Sequence, residues 1–455
     1  MSFLLIGIQY LISFCLGYLI LRILIEKNTN FSILLQFFIS IGLGLGLSGF
    51  LVFLSLVALN QLQVHFVLFI HILIILSLSL YFIIKKIPII RFDKKDTKYI
   101  FCIIPIIIAI LPFIIIEAQF NPFGGWDAWS IWNLKAKFIL LGKENWSNIF
   151  KPSILCSNPH YPILLPCINA WVWSTLNKPI PQGPMITGLF FTFSLFGILF
   201  ESLRKWTSTL WAAAGTLFLI SSPFFIKLAI NQYCDIIIGF YLLCSFIFIL
   251  YATSSSNNHN FYILCGICLG LLSFSKNEGL VLAALIGFWA LIGIVSNKKT
   301  NKIKSFICLT VSSIVALIPF TIFQLLYSSK DITFINGLTS TIKPVTLNRL
   351  KIILFRFYLE FKQDSWNGLL ILIFIGVLII LFKTIIKKNK SIFQSSIIPS
   401  TVLCYLIIII AYYFTNTLLE PIWWMNNSLN RILFTLIPSV VLWIGLCLES
   451  SDNRK

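Results

Sequence analysis

Charge is scarce in this chain of 455 residues, and acid is scarcest: 15 Asp and Glu stand against 34 Lys and Arg, with 11% of residues charged. Soluble domains carry roughly a quarter charged residues, so the composition excludes one. The positive balance forms no basic block but is scattered over short loops, which excludes a nucleic-acid surface and suits topology control against anionic lipid heads. Eleven cysteines show no paired CxxC motifs, the one CxxC being Cys265-Gly266-Ile267-Cys268 inside an apolar run, and no Cys/His cluster. Most stand inside apolar runs (Cys15, Cys244, Cys265, Cys268, Cys404, Cys447), where a thiol packs as a small hydrophobe. HExxH, GxSxG, a P-loop and haem or iron–sulfur spacings are all missing, and with them the chemistries those patterns carry.

What is present is apolar sequence in lengths that cross a bilayer, which takes roughly twenty residues. Such runs lie near 3–25, 31–59, 64–84, 98–116, 184–203, 206–226, 234–252, 260–275, 279–296, 305–328, 366–384, 393–414 and 432–449. The fold class expected is an all-α polytopic membrane protein of about 13 transmembrane helices. Residues 1–25 have no basic leader and no small-residue cleavage site, and are expected to form a retained first helix. Gly42, Gly44, Gly46 and Gly49 in the second run suit close helix packing, since no strand precedes them as a nucleotide loop would need.

Lys and Arg set the orientation. The loop with Lys85, Lys86, Arg91, Lys94, Lys95 and Lys98 is basic, as are Lys298-Lys299-Lys302-Lys304 and Lys383-Lys387-Lys388-Lys390, and Arg204-Lys205 agrees. All four are cytoplasmic if the spans alternate from an outer N-terminus. Segments 117–183, 227–233, 276–278, 329–365 and 415–431 then face outward, and every unusual polar motif falls on that face.

Five motifs stand out. Gly124-Gly125-Trp126-Asp127-Ala128-Trp129-Ser130-Ile131-Trp132-Asn133-Leu134-Lys135-Ala136-Lys137 places one carboxylate among indoles. Trp129, Trp132, Ala136 and Ile139 recur at helical spacing, so a helix lying in the interface is expected, with Lys135 and Lys137 toward phosphates. Asp127 is either a helix cap or a reactive carboxylate, and Gly124-Gly125 would let a ligand approach the backbone. In Asn158-Pro159-His160-Tyr161-Pro162-Ile163-Leu164-Leu165-Pro166, three prolines stiffen a turn that either is purely structural or holds His160 and Tyr161 against the Asp127 loop. Asp235, in Asn231-Gln232-Tyr233-Cys234-Asp235, sits at a helix start close to hydrocarbon, where dipole stabilisation and a paired or functional carboxylate are both open. In Ser275-Lys276-Asn277-Glu278-Gly279, Lys276 and Glu278 either pair in a turn or aim an ammonium at phosphate. Arg431, ending Trp423-Trp424-Met425-Asn426-Asn427-Ser428-Leu429-Asn430-Arg431, offers a planar guanidinium to a lipid-linked phosphate or to lipid heads.

Other features are weaker. His65 and His71 suit helix packing, Asn145-Trp146-Ser147 is a chance glycosylation pattern, and 347–364 is expected to be a second amphipathic surface helix.

In this order, GGWDAWSIWNLKAK, HYPILLP, YCDIIIGFY, SFSKNEGL and SLNR resemble the GT-C superfamily of integral-membrane glycosyltransferases, specifically bacterial members of the family 39 or protein-mannosyltransferase-like group. The matched region is 98–449, with the catalytic outer loop at 117–183. Residues 1–97 are N-terminal helices outside it, and 450–455 are a cytoplasmic tail. The resemblance implies transfer of a sugar from a polyprenyl-phosphate donor to a hydroxyl acceptor (lipid, glycan or protein) on the outer face of the cell membrane, with inversion. It implies Asp127 as general base. Lys276 and Arg431 are the expected donor-phosphate ligands, and Trp126, Trp129, His160, Tyr161, Asp235 and Glu278 the expected sugar and acceptor contacts. The family pattern has a second acid before Tyr-Pro, where this chain has His160, so a site without cofactor or metal is expected and a divalent ion is not favoured. The rival is a transporter or flippase of lipid-linked sugars, which would show paired repeats with matching broken helices.

Overall fold

Within a bilayer the backbone N–H and C=O groups have no water to bond, so long apolar runs close their hydrogen bonds internally as helices. The computed structural model describes residues 2–25, 31–87, 94–254, 259–297, 301–329, 346–387, 396–416 and 420–448, and no strand occurs among them. In chain order the helices are α1 (Ser2–Leu24), α2 (Ile33–Leu59), α3 (Val64–Ile84), α4 (Lys94–Phe120), α5 (Asn133–Leu141), α6 (Leu164–Ser174), α7 (Gln182–Trp206), α8 (Thr209–Ile220) and α9 (Pro223–Ile230). There follow α10 (Asp235–Ser254), α11 (Asn260–Ser275), α12 (Asn277–Ser296), α13 (Lys302–Leu326), α14 (Leu347–Glu360), α15 (Leu369–Lys387), α16 (Ile397–Thr415) and α17 (Pro421–Leu448).

Nine of the described helices are long and apolar enough to cross a membrane, and α8 with α9 would make a tenth span, bent by 69°. Three further apolar stretches, Ile110–Phe120, Asn260–Ser275 and Leu369–Leu381, are shorter. Together they occupy the thirteen places expected, and the protein is an all-α polytopic membrane protein. The expected tail 450–455, most of 329–345 and parts of the basic loops (88–93, 298–300, 388–395) lie outside the described residues.

Helix α10 is the hub, 89% buried along its span, with α11, α17 and α7 around it. Helices α3 and α13 are peripheral and turn apolar side chains outward, as helices facing lipid do. The glycines of α2 serve close packing. A Cβ on Gly44 would lie 1.9 Å from the Ser13 carbonyl of α1, and one on Gly46 would lie 2.2 Å from the Tyr241 hydroxyl. That hydroxyl donates to the Gly42 carbonyl at 2.8 Å. His71 is a packing residue: it is buried, its ring nitrogens lie 2.8 Å from Val67 O and 3.0 Å from Ser48 Oγ, and it stacks on Trp171 at 4.3 Å.

Within 117–183, α6 is buried at every residue and packs against α2 and α5. Three expectations need correction. The span expected at 206–226 is broken at Ser221-Ser222, where Pro223 starts α9. The 364–367 turn braces the break: Asn367 Nδ2 donates to the Ser221 carbonyl, and Ser222 Oγ donates to Ser365 O. The segment 415–431 is helical from Pro421, so Arg431 stands inside α17 and not ahead of it. Finally, the helix after Asp127 does not lie with its indole stripe in the interface. Trp132, Ala136 and Ile139 face the core while Trp129 stays exposed, and Lys135 is fully buried. The expected amphipathic helix at 347–364 is present as α14, whose Arg349 donates to the Tyr413 and Asn416 carbonyls at the end of α16.

Candidate active site

The five motifs converge at one end of the bundle. Asp127 precedes a π-helical turn, Ala128–Trp132, and makes no capping hydrogen bond to it. The cap role is therefore not the one its carboxylate plays. Asp127 Oδ2 instead accepts from Arg431 Nη1 of α17, across 304 residues of sequence. The same Nη1 lies 3.8 Å from Asp235 Oδ2 at the first turn of α10. Asp235 Oδ1 in turn pairs with Lys276 Nζ at 3.3 Å, and Lys276 reaches Glu278 Oε1 at 2.9 Å.

The result is a chain of alternating charge, Asp127–Arg431–Asp235–Lys276–Glu278, drawn from four separate elements. Lys276 and Asp235 are almost entirely enclosed, whereas Asp127, Arg431 and Glu278 keep an edge open, with side-chain exposures of 20%, 16% and 24%. Tertiary folding brings these residues together, all but Lys276 and Glu278, which are two residues apart. Burying such charges is costly unless each meets a partner, and here each does.

Tyrosines frame the chain. The Arg431 guanidinium lies over the Tyr233 ring at 5.0 Å, and the Lys276 ammonium lies 5.8 Å from the centre of Tyr161. Tyr161 stacks on Trp132, and His160 meets Tyr161 edge-on at 4.7 Å. Burial opposes the Lys276 charge, but Asp235 and Glu278 outweigh it and hold the ammonium well above the ordinary lysine value. Burial pushes the Tyr161 and Tyr233 phenols up, with Glu278 adding to the rise at Tyr161 and Asp127 at Tyr233. Both phenols therefore remain protonated donors at neutral pH. Trp126 and Trp129 meet edge-on at 4.3 Å and are 63% and 47% exposed, beside Asp127 at the rim.

Two functional details were not anticipated. Gly124 and Gly125 admit protein and not ligand. Gly124 has φ of +74°, and a Cβ on Gly125 would lie 2.3 Å from the Tyr233 hydroxyl, so the turn 231–233 occupies the space. An amide relay locks that contact: Asn169 donates to Asn133, Asn133 to Gln232, and Gln232 to the Pro122 carbonyl. The motif holding Asp235 thus also positions Asp127 through Tyr233.

The second detail is Lys135, expected to face phosphates. Its ammonium is enclosed and donates to the Asn158 and Tyr161 carbonyls at 2.9 and 3.0 Å, with the rings of Phe150, Trp132 and Tyr161 within 5.9 Å. It ties the proline-rich turn in place. Lys135→Met strands two carbonyls and is expected to cost about 2–4 kcal/mol, read as a lowered Tm in detergent. Burial also pushes the Lys135 ammonium well below the ordinary lysine value. The unfolded chain then holds a proton the folded chain has released, so this group makes stability rise with pH up to about 10.4. The Met variant should lack that rise; parallel pH profiles for the two proteins would contradict it.

No group of three or more His, Cys, Asp or Glu side chains among the described residues is arranged to hold a metal ion. The three carboxylates of the site each meet a cation from the chain itself.

The chain is similar to ArnT. The solved structure is ArnT from Cupriavidus metallidurans in the apo state, with a TM-score of 0.47 and 12% identity over 79% of this chain. The chain spans 61% of the length of that structure. No family model matches the sequence, and no curated protein does. The functional assignment rests on the geometry of the site.

Proposed function

We propose that the chain is a GT-C-type membrane glycosyltransferase that moves a sugar from a polyprenyl-phosphate donor to a hydroxyl acceptor, with Asp127 as general base. The observation that carries this is the charged chain Asp127–Arg431–Asp235–Lys276–Glu278 at one end of an otherwise apolar bundle. A base and two cations within one connected cluster match what such a reaction needs at its two ends.

The chemistry balances as a direct displacement. The acceptor O–H gives its proton to Asp127, and the acceptor oxygen bonds to the anomeric carbon. The bond from that carbon to the phosphate oxygen breaks, its electron pair leaving with the lipid phosphate. The leaving group gains a negative charge in a site of low dielectric, where the guanidinium of Arg431 and the ammonium of Lys276 stabilise it. Tyr161, His160, Trp126 and Trp129 offer ring faces and hydrogen-bond donors to the sugar. Asp235 orients both cations, and Glu278, whose buried Oε2 has no hydrogen-bond partner among the described residues, is available to a sugar hydroxyl.

We read the active face as the outer face of the cytoplasmic membrane. Lys205 and Trp206 meet Tyr251 near the far end of α10 from Asp235, about 25 Å away at 1.5 Å per residue. The basic Arg204-Lys205 turn therefore lies opposite the site, which under the positive-inside rule leaves the site facing outward. A transporter would show a second broken helix to match α8–α9, and among the described residues one such pair occurs.

The test is product stereochemistry. Reconstituted protein given polyprenyl-phosphate sugars should yield a glycoside of inverted anomeric configuration by NMR. Retention would contradict the direct displacement and require a covalent intermediate.

A further inference from the structure

The resting site holds its own base. Asp127 and Arg431 are in contact, although Asp127 is needed for the acceptor and Arg431 for the phosphate. While the guanidinium holds it, the Asp127 carboxylate is a poorer proton acceptor, so the contact has to loosen for the base to act.

Three observations indicate how it changes. The guanidinium is engaged unevenly: Nε donates to the Asn427 carbonyl of its own helix and Nη1 to Asp127, while Nη2 carries no hydrogen bond among the described residues. An edge with two N–H groups is thus open to an anion. Next, Asp127, Asp235 and Glu278 stand against only Arg431 and Lys276, so the cluster holds one carboxylate more than it has cations. Lys276 is taken up by its two carboxylate contacts, but Arg431 is only 3.8 Å from Asp235 and can keep that partner while giving up Asp127. Finally, the Tyr233 ring lies under the guanidinium at 5.0 Å and supports it whichever anion it faces.

We infer that the Asp127–Arg431 pair is a substrate-released lock: a lipid phosphate entering the site draws the guanidinium away from Asp127 and so frees the base only when the donor is present. The inference rests on the glycosyltransferase assignment and adds an order to it. Donor binds first, and the acceptor hydroxyl is deprotonated second. Proton transfer completes the exchange, because a protonated Asp127 no longer attracts Arg431 just as the departing phosphate gains its second charge. A phosphate oxygen competes well for the guanidinium, since two parallel N–H bonds to one anion are stronger than the single bond that Asp127 receives.

The reactivity of the Asp127 carboxylate reports the lock without any turnover. The full chain in detergent is treated with a water-soluble carbodiimide and glycine ethyl ester, and modification at Asp127 is followed by peptide mass spectrometry. Farnesyl phosphate is the probe and farnesol its uncharged control, with binding of the probe measured in parallel. Farnesyl phosphate is expected to bind and to speed modification of Asp127 by about tenfold or more, the equivalent of losing one charge-assisted hydrogen bond. Farnesol should leave the rate unchanged. In Arg431→Gln, Asp127 should react fast from the start, with no further gain from the probe. If farnesyl phosphate binds to the wild type and Asp127 modification stays the same or falls, the lock is wrong while the lipid-phosphate assignment survives. If farnesol accelerates it equally, phosphate is not what releases the base. If farnesyl phosphate does not bind at all, the donor assignment fails and the lock with it. The wild-type comparison needs no variant, so poor folding of Arg431→Gln would not spoil it.

Discussion

Asp127→Asn is expected to lower the transfer rate at saturating substrates by at least about a hundredfold, or about 2.7 kcal/mol of barrier, with little change in Tm. Asn keeps the size of the side chain and still offers Arg431 a carbonyl oxygen, so the contact between the loop and α17 survives. What it loses is the capacity to accept a proton from the acceptor. The carboxylate makes no capping bond to its own helix, so no local structure depends on the charge. The measurement is kcat for the two proteins in the same proteoliposomes, with thermal unfolding as the control. A variant with full activity would make Asp127 a tether for Arg431 and move the search for the base to Glu278, whose Oε2 has no partner among the described residues.

The largest effect on stability is expected at Lys276. Lys276→Met removes the ammonium shared by Asp235 and Glu278 and leaves Asp235, which is buried, with only the more distant Arg431. Breaking a buried pair by deleting one partner costs about 3–5 kcal/mol, because a charge is left without compensation. The raised pKa of Lys276 gives the sign with pH. Its stabilisation is fully present below the unfolded lysine value, about 10.4, and is lost only as pH rises through the still higher folded value. Wild type should therefore keep this contribution across the whole neutral range. The double variant Lys276→Met with Asp235→Leu should recover much of the loss in Tm while remaining inactive. Equal stability of wild type and the single variant would mean that the cluster is hydrated and not enclosed.

Much of this architecture was legible from residue types because charge is so rare here. Asp127, Asp235, Lys276, Glu278 and Arg431 stood out against apolar surroundings, and helix polarity placed them at one end. Apart from Lys276 with Glu278, their pairing was not legible: Asp127 and Arg431 meet across 304 residues, and no local pattern encodes such a contact. Lys135 misled because lysine is seldom fully buried, and only the fold supplies the two carbonyls that make burial tolerable. Gly125 signalled a close approach, but not whether ligand or protein would fill the space. Pro223 and Pro421 were available as signs of helix starts, and each marks a boundary that an apolar count alone runs past.

The most direct test of the account is the fate of a doubly labelled polyprenyl-phosphate sugar, with label in the sugar and in the lipid, supplied to proteoliposomes with hydroxyl acceptors outside. The account predicts that sugar label passes to an acceptor while lipid label remains as free polyprenyl phosphate, and that Asp127→Asn stops the separation. If the two labels instead stay together and merely appear in the opposite leaflet, the protein moves its substrate without breaking it, and the glycosyltransferase assignment is wrong.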